Sequence, residues 1–168
     1  MFERFWKDID KFFEEFGKDF EQAFKKSFKE LSKDSEDSLT WGYRMYWDNS
    51  MYKPVVKYFG NFDPTTGKLL EEGWRIPPLE KIYDDKSNVW KVIVDLPGVK
   101  KEDISLAATN TYINLEAVSK KRKYKHKVDF DQDIDPESVK AKLNNGILQI
   151  SVNPKAPIRS EEKKISIE

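Results

Sequence analysis

Cysteine is absent from the 168 residues, which excludes a disulfide framework, a thiolate nucleophile and any thiolate metal site. Histidine occurs once, as His126, so there is no imidazole pair to hold a metal and no second imidazole to serve as a base. Net charge is also missing: 30 Lys and Arg balance 30 Asp and Glu. Without a cationic field a nucleic-acid partner is not expected, and without mutual repulsion self-association is permitted. No apolar run approaches the roughly 20 residues needed to span a bilayer. The N-terminus is acidic from Glu3 onward and lacks the apolar core of a secretory signal, so the expected location is the cytoplasm. No glycine-rich phosphate loop occurs, since Gly67-Lys68 is followed by Leu69 rather than Ser or Thr. Asp129, Asp131, Asp133 and Asp135 lack the bracketing glycine and distal glutamate of a calcium loop. The expectation is therefore a protein that is no enzyme, with no catalytic residues, no cofactor and no metal.

Aromatic and charged residues are plentiful, at 14% and 36% of the chain. The aromatics are concentrated at the start. Phe2, Phe5, Trp6, Ile9, Phe12, Phe13, Phe16, Phe20, Phe24, Phe28 and Leu31 recur at three- and four-residue steps. At about 100° per residue they fall within an arc of roughly 160°, which predicts an amphipathic helix over 1–31. The pattern repeats at a shift of eleven, Phe5 with Phe16 and Phe13 with Phe24, a period that stays on one side of a straight helix. Burying each phenylalanine is worth about 1.5–3 kcal/mol, so this face must be covered. The candidates are the chain's own sheet, other copies of the helix, an unfolded client or membrane lipid. Seven basic against eight acidic residues over 1–31 give a net charge of −1, which argues against anionic lipid. Self-association and client contact are the favoured uses of Phe2 through Phe28.

Residues 32–76 show no sustained period and read as an irregular, aromatic-rich continuation of this arm. A polar linker, Ser32 to Ser38, is followed by Trp41, Tyr43, Tyr46, Trp47, Tyr52, Tyr58, Phe59, Phe62 and Trp74. Asp63-Pro64-Thr65-Thr66-Gly67 reads as a turn between short strands at 55–59 and 68–70.

From Pro77 the pattern changes to short alternating strands. They fall at Leu79–Tyr83, Val89–Val94, Ile104–Ala108, Tyr112–Ala117, Tyr124–Phe130, Val139–Leu143 and Ile147–Val152. Asn144-Asn145-Gly146 between the last two is the strongest short-range hairpin signal. Asp95-Leu96-Pro97-Gly98 ends the second strand, because proline lacks an N–H and glycine tolerates φ > 0. Seven strands with turn signals about every 8–12 residues and no intervening helix predict an all-β, antiparallel sandwich over 77–152. The extension 153–168 ends in Ile165-Ser166-Ile167, whose isoleucines lie on one side of an extended segment and suit addition to a sheet edge. His126, flanked by Lys125 and Lys127, reads as a surface or edge residue. The basic run Lys120 to Lys127 reads as a solvated hairpin or edge strand, where lysine deters uncontrolled pairing.

The run VIVDLPGVKKEDI, with AKLNNGILQISV downstream and ISI near the end, resembles the small heat shock proteins and their α-crystallin domain. The resemblance covers roughly Pro77 to Val152 and the tail, and its three elements occur in the family's order. It implies an immunoglobulin-like α-crystallin sandwich that forms homodimers and larger homo-oligomers. The implied activity is ATP-independent holding of unfolded or partly folded client proteins under stress. By position, Ile165 and Ile167 become a plug for an apolar groove of a neighbouring subunit, lined by Ile104, Leu106, Val139, Ala141 and Leu143. The aromatic N-terminal region resembles the family's variable arm, which helps build the oligomer and holds clients.

In one respect the chain departs from the family. Only Val118 to Lys123 separates the strand ending at Ala117 from that beginning at Tyr124, too short for the swapped arm of bacterial, archaeal and plant relatives. Two alternatives follow. The strand carrying Tyr124, His126, Val128 and Phe130 pairs edge to edge with its own copy, or the sandwich stays monomeric like the related co-chaperone (CS) domains.

Overall fold

The computed structural model describes residues 2–30, 39–46, 54–64 and 66–156. The chain divides into two compact units. One comprises the residues up to Leu79 together with Lys120–Lys125, the other Glu80–Ser119 and the residues from His126 on.

The first unit opens with α1 (Phe2–Glu30), the helix expected from the aromatic period. Its polar side carries i,i+4 pairs, Lys11–Glu15 at 3.8 Å and Glu21–Lys25, a spacing that places both partners on one face. The segment expected to be largely irregular, with short strands at 55–59 and 68–70, carries five: β1 (Trp41–Tyr46), β2 (Val55–Gly60), β3 (Phe62–Asp63), β4 (Lys68–Leu69) and β5 (Trp74–Arg75). β1 and β2 pair antiparallel from Trp41↔Gly60 to Tyr46↔Val55. Here Gly42 lies opposite Phe59, whose ring occupies the space a Cβ at Gly42 would need. That glycine breaks the alternation a periodicity search relies on. The predicted turn at 63–67 closes β3 on β4, with Phe62↔Leu69 and Asp63↔Lys68, rather than joining β2 to β4. Strands of two residues are too short to show a period at all.

Seven strands follow from Pro77 onward, mostly in the second unit, with the first residue of β6 and the start of β10 assigned to the first. These are β6 (Leu79–Asp84), β7 (Val89–Asp95), β8 (Ile104–Ala108), β9 (Tyr112–Val118), β10 (Lys123–Asp129), β11 (Lys140–Asn144) and β12 (Ile147–Val152). They form two sheets in the orders β11-β12-β7-β6 and β5-β10-β9-β8. Inward positions alternate along each strand, as a half-buried sheet requires. Val92 and Val94, Ile113, Leu115 and Ala117, Leu148, Ile150 and Val152 are all buried. At about 1.5–3 kcal/mol for each large side chain, this core is the main stabilising element of the sandwich.

The predicted hairpin closes with Asn145 at φ 49° and Gly146 at φ 77°. Positive φ at both central residues is the twist that matches the flanking strands. The Leu96 N–H donates to the Gly146 carbonyl at 2.7 Å, so the Leu96-Pro97-Gly98 corner and the hairpin tip hold each other. Between this corner and β8 the chain makes a single 3-10 turn at Lys101–Asp103. The loop after β10 contributes more than its polarity suggests. Ile134 is fully buried and bridges to Pro154, and Asp135 caps a 3-10 turn at Pro136–Ser138 by accepting from the Glu137 N–H at 3.1 Å.

Candidate assembly groove and aromatic surface

β8 and β11 are edge strands of the two sheets. Between them lies a cavity of about 370 Å³, walled by Ile104 and Leu106 of β8, Ala141 and Leu143 of β11 and Leu148 of β12, with Lys101 and Lys142 completing the lining. Leu148 is buried, whereas the other apolar walls are partly or fully exposed. Thus four of the five residues expected to line a groove meet at one site. Val139 is not among the lining residues. The strand starts one residue later, at Lys140, and Val139 closes the preceding 3-10 turn, its N–H donating to the Pro136 carbonyl at 3.3 Å. Leu148 was missed from the sequence, although the hairpin signal contained it: Leu143 and Leu148 face each other directly across the Asn-Gly turn, and opposed residues share a face. The expected plug, Ile165 and Ile167, lies outside the described residues.

The second candidate surface is the aromatic face of α1. Phe12, Phe16, Phe20 and Phe24 form a ladder with successive centroid separations of 6.0, 6.3 and 6.3 Å, and Phe13 meets Phe12 edge-on at 5.7 Å. Part of this face is covered by its own unit rather than left entirely for self-association or client contact. Phe16 packs edge-on against Tyr43, and Phe20 lies on Trp41, each at 5.0 Å. Trp41 in turn stacks on Tyr58 at 6.1 Å and meets buried Phe62 edge-on at 5.9 Å. Burial, followed by the nearby Asp19 carboxylate, pushes the Tyr58 hydroxyl above its ordinary pKa. Phe13 and Phe24 remain 52% and 43% exposed, alongside Tyr43 and Tyr46 at 42% and 39%. Phe2, Phe5, Trp6, Ile9 and Phe28 lie on the helix, with side chains outside the described set.

The strand expected to pair edge to edge with its own copy is β10. Tyr124, Val128 and Phe130 are buried, and His126, expected at the surface, is partly buried. Their alternation marks the inward face, so any pairing along β10 engages backbone rather than these side chains. The first rungs are already taken, because Lys123 and Tyr124 pair in parallel with Trp74 and Arg75 of β5. Lys125 reinforces this, with its Nζ 5.1 Å from the Trp74 ring centre and 3.8 Å from the Glu71 carboxylate. Elsewhere in the sandwich, Asp84 accepts from Lys91 at 2.7 Å and from the Ser87 N–H at 3.3 Å, which lowers its carboxyl to about 2. Among the described residues, no helix is long and apolar enough to cross a membrane.

The fold is a β-sandwich with an open apolar groove at the edges of its two sheets, and sequence comparison specifies the family. Residues 82–168 match the Hsp20/alpha crystallin family. The chain belongs to that family. It is 25% identical over 122 residues to the mitochondrial small heat shock protein hspI of Dictyostelium discoideum, covering 61% of this chain and 53% of that protein. A probable Hsp20 family chaperone of Onion yellows phytoplasma is 27% identical over 95 residues, or 47% of this chain and 69% of the relative. The chain therefore spans about half the length of the Dictyostelium relative and about two-thirds of the phytoplasma one. Among solved structures, it is similar to heat shock protein 16.0 from Schizosaccharomyces pombe, with 20% identity and a TM-score of 0.44, covering 55% of this chain and 98% of that one.

Proposed function

We propose that this protein is an ATP-independent holdase that captures non-native proteins and works in the cytoplasm as a homo-oligomer. The observation that carries the reading is the open apolar groove between β8 and β11, walled by Ile104, Leu106, Ala141, Leu143 and Leu148. Such a groove accepts alternate side chains of an extended segment, and Ile165-Ser166-Ile167 is such a segment in this sequence. The tail of one copy thus links to the sandwich of the next. Client capture falls to the aromatic arm, where Phe13 and Phe24 keep apolar surface in water. Holding a client on such a surface needs no nucleotide, because the free energy comes from covering apolar area.

The test is light scattering from a heat-denatured client enzyme, with and without this protein and with no ATP present. The expected result is that equimolar protein suppresses scattering. Unchanged scattering at every ratio up to molar excess contradicts the reading.

A second reading is supported by the β9–β10 connection, where β9 ends at Val118 and β10 begins at Lys123, and by the β5 pairing at the start of β10. Both features suit a sandwich that does not pair through β10, acting as a monomeric co-chaperone or adaptor. A small, concentration-independent solution mass together with no client protection favours this second reading.

A further inference from the structure

The walls of the groove are apolar except for two lysines, Lys101 and Lys142, and no carboxylate lines it. Neither lysine has an ion-pair partner among the described residues, whereas neighbouring Lys100 lies 3.9 Å from Glu102. Lys101 stands in the 3-10 turn that leads directly into β8, and so marks the Ile104 end of the groove. The tail segment is electrically lopsided: Lys163-Lys164 precede Ile165, and Glu168 directly follows Ile167.

We propose that Lys101 of one copy pairs with Glu168 of another, and that this pair sets the direction in which the tail lies in the groove. The inference rests on the tail-in-groove reading above. Two isoleucines separated by one residue are about 6.6 Å apart when extended, the same period as Ile104 and Leu106 along β8. The apolar fit is therefore nearly symmetric and leaves two directions open. Charge removes the degeneracy. With the tail antiparallel to β8, Ile167 lies beside Ile104 and brings Glu168 to Lys101. In the reverse direction Lys164 takes that place, and two ammonium groups meet. A repulsive element against the wrong arrangement is how near-symmetric contacts acquire specificity.

A double-mutant cycle on the full chain tests this, with the association constant read from solution mass against concentration at low salt. Lys101→Gln and Glu168→Gln each weaken assembly by about two- to fivefold, and the double variant is no weaker than either alone. Both losses vanish in about 1 M salt, where the screening length falls to about 3 Å. Unchanged thermal melting of the variants separates a lost contact from a damaged fold. Independent, additive effects overturn the pair, as does assembly equal to the parent's in both single variants. A Lys164→Gln variant that assembles more tightly than the parent overturns the proposed direction. The Ile165→Ala/Ile167→Ala variant keeps the two claims apart. If it collapses the assembly while the glutamine variants do nothing, the groove reading stands and the charge pair falls. If it has no effect, the groove reading itself falls.

Discussion

The arm and the sandwich are held together by different means. In the sandwich, β-branched and aliphatic side chains from both sheets interdigitate, and Val92, Val94, Ile113 and Ile150 reach zero exposure. In the arm, aromatic rings lie side by side at 5.0–6.3 Å, and several stay partly in water. Offset and edge-on ring pairs contribute about 0.5–1.5 kcal/mol each beyond their burial and tolerate many geometries. A close-packed aliphatic core tolerates few. The same apolar content therefore gives a stiff scaffold in one unit and an adaptable surface in the other, the division that the proposed holdase reading requires.

The contrast is broken most severely from the sandwich side. Ile150→Ala removes a fully buried side chain in the central strand β12 and is expected to lower unfolding stability by about 2–5 kcal/mol in denaturant titration. Gly146→Ala comes next. Its φ of 77° is unfavourable for any residue with a Cβ, and the added carbon would sit 3.4 Å from the Leu96 carbonyl. A loss of about 1–3 kcal/mol is expected, read in the same titration. The arm is expected to respond in the opposite sense. Phe13→Ser/Phe24→Ser, at positions 52% and 43% exposed, should leave that unfolding midpoint within error while lowering client protection several-fold. A drop in midpoint comparable to that of Ile150→Ala would erase the distinction between the units.

The smallest effect concerns acid. The Asp84 carboxyl, held at about 2 in the folded state by Lys91 and Ser87, has an ordinary value of 3.8. Its contribution is fully present above about pH 4 and is lost as pH falls through about 2. Asp84→Asn should therefore lower stability slightly at neutral pH and flatten the acid limb of the stability profile. An acid limb identical to the parent's would remove Asp84 from the account.

Legibility followed the same division. The seven sandwich strands were readable because alternation, an Asn-Gly turn and a Pro-Gly corner all point to one answer. The groove was nearly readable, through Ile104, Leu106, Ala141 and Leu143. Val139 failed because the strand begins one residue after the apolar alternation does, and Leu148 was hidden although its partner across the hairpin was named. Ile134 escaped notice because a lone isoleucine in a polar loop carries no period. In the arm, β1 was obscured by Gly42, where a ring from the opposite strand replaces the missing side chain, and β3 and β5 by their length of two residues. The covering of Phe16 and Phe20 by Tyr43 and Trp41 depends on a helix meeting a sheet far along the chain, which no local pattern encodes.

The most direct test of the central claim, that tail and groove join copies into a client-holding assembly, is the solution mass of the intact chain beside Ile165→Ala/Ile167→Ala. The account predicts a large assembly for the intact chain and collapse to small units for the variant. An intact chain that is already monomeric or dimeric, and unchanged by the substitutions, would contradict it.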